Sequence, residues 1–288
     1  MSEKIPLIFN PSAHAEKGKK FADKLRSFSE RIEVYETNNY FHLKEIASEL
    51  VSQGWPKIAV AGGDGTINAV IKSILFSDIE LGIFPTGTMN LFARELGLPL
   101  NNLKTCWQVI EEGKKKKVDV IKAGESIFVQ VAGVGYDAKI IEETSWENKK
   151  KFGRFSYLIS AFSVANQDPP IIRVIPESGE IIEGAFVLIG NGALYGPALR
   201  LFPEASNDDR LLDVMIFKNQ SPTDILRYVS GITLGSVEKT KGIEYVRTPR
   251  IRVESDAKVP FEVDGELAGV TPIEFLPCTK QLTVFVPL

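Results

Sequence analysis

A glycine-rich turn with a single carboxylate is the segment of this sequence best suited to chemistry. It reads Gly62-Gly63-Asp64-Gly65-Thr66 and follows the apolar run at 57–61. Glycines let a backbone pass through φ > 0 and bring main-chain N–H groups close to an anion. Asp64 would be repelled by bound phosphates unless a cation lay between them, so it is a natural partner for Mg²⁺. The pattern predicts a phosphate site at a strand-to-helix turn.

A second acidic turn, Asp264-Gly265-Glu266, ends the apolar run at 261–263. Phosphoryl transfer needs a base that accepts the proton of the attacking hydroxyl, and Glu266 is a candidate for it. An Asp-Gly pair is also an ordinary hairpin turn, so these residues alone leave Glu266 open between a solvated turn residue and a catalytic group. The acidic loop at 206–210 leaves a similar choice between a structural cation site and a surface turn.

Histidine and cysteine chemistry is not indicated. His14 and His42 are the only histidines, and neither has an evident nucleophile as a partner. Cys106 and Cys278 are too few and too far apart to suggest a disulfide scaffold or a zinc site. Both are expected to be core or surface thiols.

A repeated strand, polar loop and amphipathic helix must position the glycine turn. Apolar strands are expected at 6–9, 33–36, 57–61 and 81–84. This alternation is typical of a parallel sheet covered by helices on both sides, in which ligands bind at the carboxyl ends of the strands. Four loops are therefore expected to meet at one mononucleotide site, and they contain Asn10, Thr37, Gly62 to Thr66, and Thr86 to Thr88.

From about residue 118 the sequence changes to short alternating runs, which indicate antiparallel sheet. Strands are expected at 127–131, 171–175, 186–189, 211–217, 251–253 and 261–263. Ser178-Gly179 is a predicted hairpin turn, and helices are expected at 157–165 and at 222–234, the latter capped by Ser221. The run at 282–286 hints at a strand that returns to the first domain. The predicted domains are therefore 1–122 with 280–288 and, β-rich, 123–279.

Composition narrows the possible functions. The 288 residues are 44% hydrophobic, which allows a large core, but no run approaches a membrane span and the start has no apolar signal region, so a cytoplasmic location is expected. The net charge of −3 argues against a nucleic-acid binder. Two basic runs, at 114–117 and 149–155, are expected to be solvated helix ends, and the second is the better candidate for contact with an anionic membrane surface.

Six motifs, taken in order, resemble the diacylglycerol kinase catalytic family, which includes bacterial lipid kinases, sphingosine kinases and ceramide kinases. The glycine turn alone would be unspecific, because NAD kinases and phosphofructokinases also carry Gly-Gly-Asp-Gly. The motifs are Asn10-Pro11, the segment 62–68, the segment 85–90 followed by Phe92-Ala93, the segment 133–138, the segment 209–214, and Asp264-Gly265-Glu266.

The resemblance implies an N-terminal parallel-sheet α/β nucleotide-binding domain and a C-terminal antiparallel β-sandwich domain, with ATP and lipid meeting between them. It makes Glu266 the catalytic acid or base. It implies a structural Mg²⁺ held by Asp209 with the carbonyls of Ser206 and Leu211, although Arg210 stands where the family has glycine. It assigns ATP contacts to Asn10, Thr37, Gly62, Gly63, Asp64, Gly65, Thr66, Ile67, Asn68 and Thr88.

The expected function is an ATP- and Mg²⁺-dependent lipid kinase. It would transfer the γ-phosphoryl group to a lipid hydroxyl, with diacylglycerol as the expected acceptor and phosphatidic acid as the product. Asp64 would help to hold the metal and Glu266 would accept the hydroxyl proton. Contact with the inner face of the membrane would be transient, and a homodimer is left open. The alternatives are an NAD kinase-like enzyme and a non-catalytic nucleotide- or lipid-binding module.

Overall fold

The computed structural model describes residues 4–11, 18–100, 102–136, 138, 170–196 and 199–288. It divides the chain into one unit of Met1–Asp119, Gly196–Ala198 and Thr279–Leu288 and another of Val120–Tyr195 and Leu199–Cys278. Ser12, His14, the basic run at 149–155 and the expected helix at 157–165 lie outside the described residues.

The first unit is built on a largely parallel sheet. Its strands are β1 (Ile5–Phe9), β2 (Ile32–Glu36), β3 (Lys57–Gly62), β4 (Glu80–Pro85), β5 (Lys114–Val118) and β20 (Leu282–Val286). Among the described residues their order is β2-β1-β3-β4-β20-β5, and only the β5–β20 pairing is antiparallel. The helices are α1 (Gly18–Arg26), α2 (Tyr40–Ser52), α3 (Asp64–Ile74), α4 (Leu91–Glu95) and α5 (Leu103–Glu112).

Burial explains why these segments form this sheet. Every residue of β1 is buried, and β3 and β4 are buried after their first residue, as expected for strands covered on both faces. Helix α2 buries Leu43, Ile46, Ala47 and Leu50, which recur at helical spacing. The prediction of a parallel α/β sheet is confirmed.

The lysine run of β5 corrects one expectation. Residues 114–117 are not a solvated helix end but part of an edge strand that pairs with β20. Lysines on an edge strand keep its unpaired backbone groups from recruiting another strand. Lys115 also makes an ion pair of 2.5 Å with Glu80 at the start of β4. The run therefore serves the sheet of the first unit.

The described part of the second unit forms two antiparallel sheets. One has the order β10-β9-β16-β19-β6-β7 and the other β15-β14-β11-β8-β17-β18, with a separate β12–β13 pair. The unit also contains α6 (Pro222–Thr233) and a 3₁₀ turn at Val237–Lys239. The strands are β6 (Ile121–Ala123), β7 (Ser126–Phe128), β8 (Val131–Val134), β9 (Ile172–Pro176), β10 (Ile182–Gly184), β11 (Phe186–Gly190), β12 (Leu194–Tyr195), β13 (Leu199–Arg200), β14 (Leu212–Phe217), β15 (Ile243–Thr248), β16 (Ile251–Ser255), β17 (Pro260–Val263), β18 (Glu266–Val270) and β19 (Ile273–Pro277).

A shared core joins these two sheets into a sandwich. It contains Phe275, Val253 and Ile172 from one sheet and Val214 and Phe261 from the other. Side chains from two inner faces that enter one core are characteristic of face-to-face sheet packing. The prediction of a C-terminal antiparallel β-sandwich is confirmed.

Helix α6 forms where the sequence predicts a helix and packs against strands of its own unit. Its Tyr228 lies in a cluster with Phe186 of β11 and Phe217 of β14. Ser221 caps the helix by accepting a hydrogen bond from the backbone N–H of Asp224 at 3.2 Å. The predicted start of this helix and its capping residue are confirmed.

The strand expected at 127–131 is wrong as one element. The chain forms β7 up to Phe128, leaves the sheet at Val129 and Gln130, and enters the other sheet as β8 at Val131. The sequence pattern does not reveal this break, because the apolar residues continue from one short strand into the next. The break frees backbone N–H groups that are used at the site described below.

In the part of the chain that the structure describes, no helix has both the length and the apolar character required to cross a bilayer.

Candidate functional site

The glycine turn joins β3 to α3 as predicted, but its glycines serve a different purpose. Gly62, Gly63 and Gly65 are not among the residues with positive φ, and Gly63 has φ −90°. Space is what requires glycine: a Cβ on Gly62 would lie 2.4 Å from the Cβ of Thr66. The expectation that this turn passes through φ > 0 is therefore wrong, because its constraint is close packing.

A second loop, after β4, lies directly against the glycine turn. The backbone N–H of Thr86 donates to the Gly62 carbonyl at 2.9 Å. A Cβ on Gly87 would lie 2.4 Å from the Cα of Gly63, which leaves no room for a side chain at Gly87, and a Cβ on Gly63 would lie a tight 3.1 Å from the Cα of Gly87. Both loops thus present bare backbone at the carboxyl ends of two adjacent parallel strands.

Asn90 holds this second loop in shape. It adopts φ +49°, and its side chain both accepts from the Gly87 N–H and donates to the Gly87 carbonyl, each at 2.8 Å. Asparagine tolerates this left-handed conformation better than most residues. Asn90 is the last residue of the Pro85 to Asn90 motif but is not one of the predicted site residues.

Asp64 faces the start of α4. Its Oδ1 accepts the backbone N–H of Phe92 at 3.3 Å. Burial raises the pKa of Asp64, and the backbone N–H groups of Phe92, Leu91 and Asn90 act in the opposite direction. The carboxylate thus ties the glycine turn to the loop that follows β4.

The N-terminus of α3 has no side-chain cap. Gly63 occupies the N-cap position without a side-chain hydrogen bond, and the first helical bond runs from Ile67 N–H to the Gly63 carbonyl at 3.0 Å. The N–H groups that precede Ile67 in a helix have no intrahelical partner, and the helix dipole favours an anion beside them. This end of α3 is chemically suited to phosphate.

The other residues assigned to ATP lie at the same edge of the sheet but differ in exposure. Asn10 follows β1 and is half-buried, whereas Thr88 is exposed. Thr37 is 1% exposed, and its hydroxyl donates to the Phe9 carbonyl at 3.3 Å. The side chains of Ile67 and Asn68 are buried in α3. Ligand contacts for these residues stay predictions.

Glu266 lies in a tight hairpin between β17 and β18. Asp264 and Gly265 have φ +46° and +86°, and Val263 pairs with Glu266 across the turn. Two consecutive positive φ values are typical of the two-residue hairpin turns favoured by Asp-Gly. Glu266 is exposed at the start of β18, and its catalytic role stays a prediction.

Asp264 anchors this hairpin through its carboxylate. Its oxygens accept the backbone N–H groups of Val129, Gln130 and Val131 at 2.9, 3.1 and 3.0 Å. The buried Glu262 supports the same turn by accepting the Gly265 N–H at 2.7 Å. Sequence reasoning missed this anchor, because the donors lie 133 to 135 residues away along the chain.

The acidic loop before β14 is bound by an arginine. Asp209 accepts the Leu211 N–H through Oδ1 at 3.0 Å and contacts Arg247 Nη2 through Oδ2 at 2.5 Å. The Ser206 hydroxyl donates to Asp208. Among the described residues, no cluster of three or more His, Cys, Asp or Glu side chains could hold a metal ion. Each oxygen of the Asp209 carboxylate, the one side chain that the implied Mg²⁺ would use, already has a partner in the protein, and the Mg²⁺ assignment stays a prediction.

Asp213 extends the same network into the sheet. It is fully buried, accepts a hydrogen bond from the Tyr245 hydroxyl, and lies 3.2 Å from Arg247 Nε. Burial raises the pKa of Asp213, while the Tyr245 hydrogen bond and the Arg247 charge act to lower it. Burial and the Asp213 carboxylate together raise the pKa of Tyr245.

Two family models together match almost all of the chain. The model described as "Diacylglycerol kinase catalytic domain" matches residues 4–123. The model described as "YegS C-terminal NAD kinase beta sandwich-like domain" matches residues 130–286. The first match ends close to Asp119, where the N-terminal segment of the first unit ends, whereas the second match continues through β20, which belongs to the first unit.

Relatives and solved structures agree with these matches. A diacylglycerol kinase from Staphylococcus aureus (strain MRSA252) is 27% identical, with 100% of this chain and 93% of the relative covered. One from Bacillus subtilis (strain 168) is 26% identical, with 98% and 95% covered. A crystal structure of a candidate diacylglycerol kinase from Bacillus anthracis (strain Sterne) has a TM-score of 0.84 at 26% identity and covers 99% of this chain and 95% of that chain.

Proposed function

Because the chain belongs to the diacylglycerol kinase family, and is thus a lipid kinase that uses ATP, we propose that it phosphorylates diacylglycerol and releases phosphatidic acid. The relatives from Staphylococcus aureus and Bacillus subtilis carry the name of that activity and match over nearly their whole length. They support the substrate proposal, which at 26–27% identity needs its own experiment.

The approach of Gly63 to Gly87 is the observation that carries the proposal. Two loops that exclude side chains, beside an uncapped helix N-terminus, offer backbone N–H groups to an anion. A nucleotide triphosphate carries the dense negative charge that such an end recognises. We place the ATP phosphates against the turn from Gly62 to Thr66, with the remaining predicted contacts around it.

Asp64 is the residue proposed to help bind Mg²⁺. An ionised carboxylate has about four lone-pair sites, so an aspartate that accepts backbone N–H groups retains acceptor capacity. Mg²⁺ commonly keeps several waters and bridges one or two carboxylates to phosphate oxygens, so a shared carboxylate is compatible with it. When bound, the ion would neutralise the charge that develops on the phosphates.

Glu266 is the proposed base. Its carboxylate would accept the proton of the lipid hydroxyl while the lipid oxygen forms a bond to the γ-phosphorus of ATP. The bond from that phosphorus to the β–γ bridging oxygen breaks, and ADP leaves with the electron pair. The tight turn at Asp264 and Gly265 fixes where Glu266 leaves the hairpin, which is what a positioned base requires.

The acceptor lies in a bilayer, so we also propose transient contact of this chain with the membrane surface. Exposed apolar side chains on and after α6 support such a contact, with Leu226 66% and Leu234 80% exposed. A homodimer stays an expectation that light scattering on the same preparation would test.

An NAD kinase-like activity is the second candidate function. It is favoured by the description of the matched C-terminal model, which names an NAD kinase-like β-sandwich, and by the Gly-Gly-Asp-Gly turn. The match of residues 4–123 to the diacylglycerol kinase catalytic domain favours the lipid acceptor instead.

A panel of acceptors would test the proposal directly. The purified chain would be incubated with labelled ATP, Mg²⁺ and vesicles that contain diacylglycerol, monoacylglycerol, sphingosine or ceramide, and in parallel with NAD. We expect label in phosphatidic acid and much less in other products. Label in NADP would favour the second candidate, and ATP binding without any labelled product would support a non-catalytic module.

A further inference from the structure

Both carboxylate oxygens of Asp209 already have partners within the protein. Oδ1 accepts the backbone N–H of Leu211, two residues later, which bends the loop into β14. Oδ2 lies 2.5 Å from Arg247 Nη2, an ion pair with charge-assisted hydrogen-bond geometry. A cation therefore already binds the one side chain that the family pattern assigns to a structural metal.

The register of the sheet fixes the position of this arginine. Arg247 of β15 pairs directly with Asp213 of β14, and its Nε lies 3.2 Å from Asp213 Oδ1. Its Nη1 lies 3.7 Å from Glu204 Oε2. The guanidinium thus contacts β14 at Asp213, the acidic loop at Asp209 and Glu204 before the loop, which its planar fork of five donors allows.

A second arginine replaces the glycine of the family pattern. Arg210 adopts φ +64°, a conformation that favours glycine, and its Nη1 donates to the Cys278 carbonyl at 2.8 Å. The acidic loop is therefore also held by a hydrogen bond from Arg210 to Cys278, the residue that follows β19. This departure adds a positive charge to the segment that would otherwise surround a metal ion.

We propose that the guanidinium of Arg247 performs in this chain the structural task that the family pattern gives to Mg²⁺, so that the acidic loop is ordered without a divalent cation. Unlike the neutral N–H donors of Asp64, the guanidinium at Asp209 carries a positive charge, which neutralises this carboxylate and repels a divalent cation beside it. Two further carboxylates, of Glu204 and Asp213, face the same guanidinium. Three carboxylates thus face one guanidinium, and this excess of negative charge would favour an added metal ion. The experiment must therefore distinguish a loop ordered by Arg247 alone from one that also binds Mg²⁺.

Thermal unfolding of the full chain without nucleotide would test this inference independently of its substrate. A cation that binds only the folded state raises the melting temperature with its concentration. We expect the same melting temperature in EDTA and in excess MgCl₂, and no Mg²⁺ retained after dialysis. A lower melting temperature in EDTA, restored by MgCl₂ together with about one bound Mg²⁺ per chain, would overturn the proposal.

Variants of two arginines complete the test. Arg247→Met removes the charge but keeps much of the length, and we expect it to melt below Arg250→Met in both buffers. Arg250 is the control because it is exposed and pairs only loosely, at 3.5 Å, with Glu177. Equal melting temperatures for the two variants would contradict the proposal. If Arg247→Met does not fold, Arg247→Lys takes its place, because it keeps the positive charge but not the planar guanidinium. We expect Arg247→Lys to fold and to have a lower melting temperature than the wild type. A melting temperature equal to that of the wild type would contradict the role of the guanidinium.

Discussion

The carboxylate of Asp64 accepts a hydrogen bond from the backbone N–H of Phe92, 28 residues further along the chain. Through this bond the turn after β3 and the helix after the next strand form one structure. The same carboxylate is proposed to help bind Mg²⁺, so one side chain would join the scaffold to the ligand. Its two tasks can be separated by substitution.

Asp64→Ala and Asp64→Asn should differ in stability but not in activity. The alanine variant loses the acceptor for the α4 N–H groups, and we expect a loss of about 1 kcal/mol in the free energy of unfolding. The asparagine variant retains an acceptor oxygen and should be close to the wild type in urea titrations. Both remove the anionic ligand and should lose most kinase activity. Full kinase activity of the asparagine variant would contradict the proposed Mg²⁺ role of Asp64 and leave only its structural hydrogen bond to Phe92.

Gly87→Ala should weaken ATP binding while the sheet of the first unit stays folded. The added Cβ would lie 2.4 Å from Gly63 Cα, so the two loops must separate. We expect the KM for ATP, or the Kd measured by calorimetry, to rise at least about tenfold, which corresponds to roughly 1.4 kcal/mol. Gly54→Asn is the matched control, because Gly54 has φ +72° and open space around its Cα. Equal ATP affinity for both variants would contradict the assignment of the phosphate site.

Glu266→Gln should abolish phosphoryl transfer while the fold is preserved. Glu266 is exposed at the start of β18, so an amide in its place leaves no buried charge or cavity. Loss of a positioned base commonly lowers the rate by about 10²–10⁴-fold. The measurement is the initial rate of lipid phosphorylation, with circular dichroism as the check on folding. Glu180→Gln, another exposed glutamate of the second unit, should keep full activity, and similar rates for the two variants would remove Glu266 from the mechanism.

Asp264→Asn should weaken the hairpin that carries Glu266. Asparagine also tolerates φ > 0, so the change leaves the turn conformation available but removes the charge and replaces one of the two accepting oxygens with an NH₂ donor. We expect the free energy of unfolding to fall by about 2 kcal/mol. The kcat should fall more than the KM for ATP changes. Asp256→Asn, which removes an exposed partner of Arg173, should have a smaller effect, and the reverse order would contradict the anchor.

Neither cysteine should react in the folded protein. Burial raises the pKa of the Cys106 thiol to about 12, and the pKa of Cys278 is also raised. The thiolate is the reactive form, so iodoacetamide at about pH 8 should leave both sites unmodified until the protein unfolds. Mass spectrometry of the native and the urea-treated chain would show this. Rapid modification of native Cys106 would contradict its burial against the Pro99 carbonyl.

The parts of the fold that depend on local pattern could be predicted from the sequence. Helix α2 buries Leu43, Ile46, Ala47 and Leu50, whose spacing is visible in the sequence, and Ser221 precedes α6 as a capping residue should. β15 is not predictable in this way, because its apolar residues, Ile243, Tyr245 and Val246, form neither a sustained alternation nor a continuous run.

The contacts that shape the site could not be predicted in the same way. The ion pair of Arg247 with Asp209 depends on the pairing of β15 with β14, and Asp264 reaches backbone donors from another part of the second unit. Nothing in the local sequence encodes such partners. The residue type at a special position was informative nevertheless: Arg210 stands at a glycine position of the family pattern, adopts φ +64°, and lies in the loop for which we propose an arginine in place of the metal.

The position of β20 has a consequence for how the protein is made. This strand lies between β4 and β5, although the whole second unit separates it from them along the chain. The ribosome synthesises Leu282–Val286 only after the β-sandwich. Until then the backbone N–H and C=O groups of β4 that pair with β20 have no strand partner in the nascent first unit. Expression of residues 1–119 alone would leave the same gap permanently, and such a fragment should associate with other strands rather than remain monomeric.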